Sequence, residues 1–276
     1  MPRLVLCTLG DLLLDVIVRL EQPLETGTDA AALTRTGAGG QAANVAAWAA
    51  ALGAESRFIG KRGGDPAAAL AAGELARLGV GVFGPVASGR NGVVVSIVGE
   101  DGDRAMASDR GVAPTLSADE LEPAWFDGCN HLHLSGYSVM SSPIDGAAAR
   151  AAELVRDRGG IVSIDLASTR VIAAFGPDRL RQTLAHLRPE LVFANERERD
   201  AVGRDAASGA TWVLKLGARG CAIERGDERS EFPAAPANVV DTTGAGDAFA
   251  AGYLVGDVQL ALETAARCVS RLGASP

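Results

Sequence analysis

Short apolar runs at residues 3–9, 56–60, 131–134, 161–165, 191–194 and 211–216 alternate with helical patterns at 41–52, 66–78, 143–158 and 178–187. Strands and helices taking turns in this way point to a mostly parallel sheet covered by helices on both faces. At 276 residues the chain can bury a large single core, and its abundant alanine and glycine with few aromatics suit close helix-on-sheet packing. Between residues 88 and 108 the pattern changes. SGRNGVVVSIVGEDGDRAMAS reads as two strands around a Glu100-Asp101-Gly102-Asp103 turn, the signal of a hairpin. With residues 12–20 and 31–36 it is expected to form a small separate sheet.

The segment Asp241-Thr242-Thr243-Gly244-Ala245-Gly246-Asp247-Ala248-Phe249 leads from a turn of small residues into the helix-like run AFAAGYL. At such a helix start the N–H groups of Gly244, Ala245 and Gly246 lack partners inside the helix and can point at a phosphate, aided by the helix dipole. Asp247 cannot favour a phosphate by its charge. A carboxylate there suits removal of a proton from a hydroxyl that attacks phosphorus. Ordinary capping and turn chemistry also uses Asp, Thr and Gly before a helix, so the pattern alone leaves a structural reading open.

The full string DTTGAGDAF resembles the signature of the PfkB family of carbohydrate and nucleoside kinases, the ribokinase-like proteins, and further motifs follow in the family's order. LVLCTLGDLLLDV is similar to its first strand and substrate loop, with the aspartate at Asp15. GAGGQAANVAAWAAALGA resembles its GGxxxN helix start at Gly39, Gly40 and Asn44. FIGKRGGDPAAALAAGELARLGV follows its strand, Gly-Asp loop and helix. LVFANERE carries an NxxE at Asn195 and Glu198, and VLKLGARG resembles its nucleotide-binding strand and turn. The resemblance implies an α/β fold, a three-layer Rossmann-like sandwich with a β-sheet lid. It also implies one kinase domain over residues 1–276, with lid segments at about 12–36 and 86–110.

The implied activity is transfer of the γ-phosphate of ATP to a hydroxymethyl group of a sugar. By resemblance Asp247 is the base, and the amides of Gly244, Ala245 and Gly246 stabilise the transferred group. Asp15, Gly39, Gly40, Gln41 and Asn44 face the acceptor. Asn195 lies near the phosphates, and Lys215, Gly217, Ala218, Arg219, Gly220 and Gly246 line the nucleotide. Glu198 orders the water shell of magnesium, while Asp241 and Thr243 hold a monovalent cation such as potassium. A nucleoside kinase of the same superfamily would share the catalytic residues, and a noncatalytic sugar sensor is the reading from another class. Two departures bear on the acceptor. Leu13 stands where ribokinase-like sequences carry asparagine, and Gln41 where ribokinases often carry lysine, so ribose is expected to be a poor substrate. The stretch SRLGASP leaves a short C-terminal loop at the cation site.

A formal net charge of −8 argues against nonspecific binding to nucleic acid or acidic membranes. Cys7, Cys129, Cys221 and Cys268 form no CxxC pair, which suits a reduced cytoplasmic setting. Asp11 and Asp15 interrupt the N-terminal apolar run, so no signal peptide is expected, and no segment is apolar for long enough to span a membrane. Gly79-Val80-Gly81-Val82-Phe83-Gly84 fits GxGxxG, yet it follows a helix and meets Pro85, the wrong context for a dinucleotide fold. Gly60-Lys61 lacks the rest of a Walker A loop. His131 and His133 share a strand face without a third ligand and read as core residues. An exposed sheet carrying VVVSIV would leave apolar surface and open edges in water, so a homodimer through the lid is expected.

Overall fold

The computed structural model describes residues 4–99 and 104–276, the side chain of Arg104 excepted. Its strands are β1 (Val5–Leu9), β2 (Leu13–Leu20), β3 (Ala32–Gly39), β4 (Glu55–Ile59), β5 (Arg62–Gly63), β6 (Gly81–Phe83), β7 (Val86–Ala87) and β8 (Asn91–Val98). There follow β9 (Arg104–Gly111), β10 (His131–Ser135), β11 (Ile161–Asp165), β12 (Leu191–Asn195), β13 (Thr211–Lys215), β14 (Cys221–Arg225) and β15 (Glu228–Phe232). The helices are α1 (Gln41–Ala51), α2 (Pro66–Arg77), α3 (Gly136–Val139), α4 (Ile144–Arg156), α5 (Thr169–Phe175), α6 (Pro177–Leu187), α7 (Glu196–Val202), α8 (Ala245–Val255) and α9 (Val258–Val269).

Nine strands form one sheet in the order β15-β14-β13-β12-β11-β10-β1-β4-β6. Pairing is parallel from β13 through to β6, and β14 and β15 add an antiparallel edge. Side chains of a strand alternate between faces, so one strand feeds two cores. On β12, Val192 and Ala194 enter the core that contains α4 and α6, whereas Phe193 enters the opposite core with Trp48 of α1 and Phe249 of α8. Helices on both faces therefore make three layers, as the alternating pattern required. The GxGxxG stretch holds the short edge strand β6, and no helix follows it directly.

A second sheet of four strands has the order β3-β2-β8-β9. Its strands depart from the expected segments at both roots. β3 runs on to Gly39, where it pairs with Leu13, and Val86–Ala87 pairs with Arg62–Gly63 instead of joining this sheet. Asn91 accounts for the second difference. Buried, it accepts from Gly63 N and donates to the Leu12 and Gly92 carbonyls, while its own amide is held by Asp65. Within the small sheet, β8 thus begins at Asn91. The Glu100-Asp101-Gly102-Asp103 turn lies outside the described residues, though β8 and β9 pair antiparallel on either side of it.

Small residues set the close packing of helices α8 and α9. A Cβ on Gly252 would come within 2.7 Å of Ala261 Cα, so only glycine allows the present approach. Among the described residues no helix is long and apolar enough to cross a membrane. Gly252→Val is expected to cost about 1–3 kcal/mol through overpacking. Urea or thermal denaturation checks this, and an unchanged midpoint would show that the helix pair has slack.

Candidate active site

The parallel strands end on one side of the sheet, and ligand-binding crevices of open α/β sheets form outside such carboxyl ends. Here the ends deliver Ser135, Asp165, Asn195 and Lys215 from β10, β11, β12 and β13. Two helices also begin there from glycines with positive φ. Gly40 precedes α1 with φ of 100°, and Gly244 precedes α8 with φ of 75°. Neither glycine is replaceable without strain. A Cβ on Gly40 would lie 2.3 Å from the Asp11 carbonyl, and one on Gly244 would lie 2.5 Å from Ala274 Cβ. No side chain caps either helix, so their first turns stay open to a ligand, with only a long 3.4 Å bond from Ala245 N to the Thr242 carbonyl at α8.

The start of α8 divides two cavities. Thr243, Gly244 and Asp247 face one of about 370 Å³, which is also lined by Asp11, Leu13, Asp15, Gly40, Gln41, Asn44, Arg110 and Tyr137. Thr242, Ala245 and Gly246 face another of about 490 Å³, lined by Lys215, Gly217, Ala218, Gly220 and mostly apolar side chains that include Phe249 and Leu262. The first is polar and suits a hydroxylated acceptor. The second is largely apolar, with its one charged side chain beside the helix start, and suits a nucleotide whose phosphates reach that helix.

In the polar cavity Asn44 Nδ2 donates to Asp247 Oδ2 at 2.8 Å. Burial pushes the Asp247 carboxyl up to about 7; Asp165 and Asp15 repel its charge, while the Asn44 amide and Lys215 oppose the rise. Asp15 is pushed up to about 6, by burial first and by Glu74 second. Gly39 lies beneath Asp15, since a Cβ there would overlap its carboxylate. Gln41 is committed elsewhere: its Oε1 accepts from Ser135 Oγ at 2.7 Å and Gly136 N at 3.2 Å, which fixes the side chain against the end of β10.

Beside the apolar cavity, Lys215 Nζ donates to the fully buried Asp165 at 2.5 Å. Burial alone would push this ammonium down, but Asp165, Glu198 and Asp247 hold it above its usual range. Asn195 and Glu198 form a reciprocal cap on α7, with Glu198 accepting from Asn195 N at 2.9 Å and Nδ2 at 2.7 Å. Burial raises the Glu198 carboxyl. Arg219 is set apart from the other expected nucleotide residues, because the exposed arginine pairs with half-buried Glu196 outside the cavity lining. Asp241 accepts from Thr243 N at 2.8 Å, Thr243 Oγ1 at 2.6 Å and Gly273 N at 2.9 Å, so it fastens the α8 turn to the C-terminal segment.

Reading by sequence missed four members of the site. Arg110, from β9, donates to Asp11 at 2.6 and 3.1 Å and to the Tyr137 carbonyl at 3.2 Å, with its guanidinium 5.9 Å from the Tyr137 ring. Local sequence carries no sign of this meeting, because β9, the β1 end and α3 come from distant parts of the chain. Asp165 did leave a signal, a carboxylate ending the buried run IVSID. His131 and His133 lie outside the site, as expected of core residues. Both contact Ser163 Oγ at 2.8 Å, and burial drives each down to about 3, so they are neutral. Among the described residues no cluster of three His, Cys, Asp or Glu could cage a metal.

Comparison with known proteins agrees with this arrangement. An ATP-dependent ribose-1-phosphate kinase from Halopiger xanaduensis is 30% identical over 269 residues, covering 92% of this chain and 86% of the relative. A fructokinase from Klebsiella pneumoniae is 31% identical over 79% of this chain and 76% of its own. The crystal structure of adenosine kinase from Sinorhizobium meliloti superposes with a TM-score of 0.84 at 22% identity, over 99% of this chain and 96% of that one. The pfkB family carbohydrate kinase pattern matches residues 4–275, and with a cavity on each side of the α8 turn, the chain belongs to that family.

Proposed function

We propose that the protein transfers the γ-phosphate of ATP to a hydroxymethyl group of a sugar, with Asp247 as the base. The observation that carries this reading is the α8 start, whose residues face the apolar cavity on one side and the polar cavity on the other. The acceptor hydroxyl oxygen attacks the γ-phosphorus and forms the new O–P bond. The bond to the β,γ-bridging oxygen breaks, ADP leaves with that electron pair, and the hydroxyl proton passes to Asp247. Amides of Gly244, Ala245 and Gly246 receive charge from the transferred group. Asp15, Asn44 and the Gly40 helix start orient the acceptor, with Gly39 leaving room for Asp15 and Gln41 shaping the wall. Asn195 lies near the phosphates, and Lys215, Gly217, Ala218 and Gly220 line the nucleotide.

The residues present fit a magnesium ion that arrives with ATP and keeps its waters, since the buried Glu198 offers a carboxylate close to Asp165 and Lys215 without a full cage. Magnesium supplies charge neutralisation to the phosphates. Potassium at Asp241 and Thr243 has one argument, a buried carboxylate beside the phosphate turn. The whole chain acts as one kinase domain, with β2, β3, β8 and β9 as a lid over the acceptor. Exposed Leu33 and Met106 on that sheet favour a homodimer through the lid. Four free, buried cysteines suit a cytoplasmic setting. Leu13 lines the acceptor cavity as an apolar contact, which favours a sugar bound through fewer hydroxyls than ribose would use.

Asp247→Asn should lower turnover on the order of 10²- to 10⁴-fold while leaving ATP affinity near normal. The test is ADP release with a panel of pentoses, ketohexoses, sugar phosphates, sugar acids and nucleosides. Near-normal turnover in the variant would falsify the base, and a nucleoside as best acceptor would move the reading to a nucleoside kinase.

Because the base acts deprotonated, kcat/KM should rise with pH through about 7, the value to which burial pushes Asp247, and level off above it. Asn44→Leu removes a hydrogen bond that favours the carboxylate, so this limb should move to higher pH. A limb unmoved by that change would place the titration on another group.

Activity should require magnesium, and Glu198→Gln should raise the magnesium concentration needed for half-maximal rate. An identical magnesium dependence in wild type and variant would remove Glu198 from that role. Equal rates in potassium and a bulky organic cation would remove the monovalent site.

A further inference from the structure

Lys215 and Asp165 form a pair at the carboxyl end of the parallel strands. They end β13 and β11, two strands separated by β12, so the lysine side chain must cross the end of β12 to reach its partner. Nζ lies 2.5 Å from Asp165 Oδ2, with the carboxylate fully buried and the lysine side chain one-fifth exposed. Asp165 Oδ1 is also engaged, accepting from Ala167 N at 3.3 Å. Ala167 lines the acceptor cavity and holds a φ of 70°, so this carboxylate braces both sides of the site. Taking both charges out of water is expensive, and an apolar pair of similar volume would pack at no such cost.

The direction of the ammonium gives the pair its use. A Cβ on Gly246 would lie 3.2 Å from Nζ, which puts the cation against the turn whose amides face the nucleotide cavity. Lys215 is also the one charged side chain among the described residues lining that cavity. A free lysine swings on a four-carbon stem, and a partner at its tip confines it. Asp165 does this at the boundary between the cavities, where a phosphoryl group would pass from one side to the other with its charge spread over the equatorial oxygens.

We propose that Lys215 is a catalytic cation that contacts the phosphoryl group during its transfer, and that Asp165 is the positioning residue that holds it there. The proposal deepens the kinase reading and rests on it. Its mark is an effect on the transition state and not on nucleotide affinity alone. Lys215→Met should lower kcat on the order of 10²- to 10³-fold, the loss typical of one preorganised donor, with the KM for ATP changed little. Lys215→Arg, which keeps the charge, should recover part of that loss. Asp165→Asn should lower kcat by about 10²-fold through misplacement of the lysine.

The deciding measurement is steady-state kinetics on the full chain for both single variants and the double variant Lys215→Met/Asp165→Asn, with thermal denaturation of each. If Asp165 acts through Lys215, the double variant should be no slower than Lys215→Met. Should Asp165→Asn fail to fold with its lysine unpaired, Lys215→Met/Asp165→Leu removes both charges and carries the same comparison. Multiplied losses in either double variant would overturn the positioning role. Unchanged kcat with a raised ATP KM in Lys215→Met would overturn the catalytic role. A wild type that transfers phosphate to none of the panel acceptors would remove the kinase reading and this inference with it.

Discussion

Everything in the site depends on α8 starting at a glycine that nothing caps. Side chains occupy the starts of three other helices: Asp65 caps α2, Asn195 caps α7 and Asp257 caps α9. At α8 the Gly244 backbone adopts a left-handed conformation, presses against Ala274, and leaves the first amides to a ligand. Any larger residue would meet the C-terminal segment. That segment is itself held by the Asp241 carboxylate and by Trp48, whose Nε1 donates to the Ala274 carbonyl at 2.7 Å. The order of the last residues and the order of the phosphate turn are therefore one problem, solved jointly.

The same crowding sets the chemistry. Asp15, Glu198 and Asp247 converge where burial makes each negative charge costly, with Lys215 the cation among them and paired to the buried Asp165. Burial raises Asp247 into the range where it can both lose and accept a proton near neutral pH. Asn44 and Lys215 keep it from rising further. Arg110 and Asp11 settle their charges on each other at the opposite wall, so the acceptor cavity keeps a net negative lining from Asp15 and Asp247.

Much of this was legible in the chain. Alternating apolar runs gave the layers because parallel strands buried on both faces are apolar throughout, and the observed β10 to β13 lie within a residue or so of those runs. The DTTGAGDAF turn and the GGxxxN start were legible because glycine and a helix-leading carboxylate leave a local mark. Of the four missed residues, Asp165 left a local mark at the end of a buried run, whereas Asp11, Arg110 and Tyr137 gain meaning only from tertiary contacts. Arg110 meets Asp11 across 99 positions, and Lys215 meets Asp165 across 50. No local period records such a pair. Arg219 is the reverse case: it sits inside a recognisable glycine turn, and its long side chain pairs with the half-buried Glu196. One boundary of the small sheet escaped the sequence for a related reason, since the buried amide of Asn91 decides where β8 begins.

The account's central claim is that the α8 turn receives the phosphate that is transferred. A crystal structure of the protein with magnesium and a non-hydrolysable ATP analogue tests it without knowledge of the acceptor. The base should fill the apolar cavity beside Phe249 and Leu262, with the terminal phosphate within hydrogen-bonding distance of the Gly244 to Gly246 amides and on the Asp247 side of the turn. Phosphates bound away from that turn, or a nucleotide seated in the cavity of Asp15 and Asn44, would contradict it.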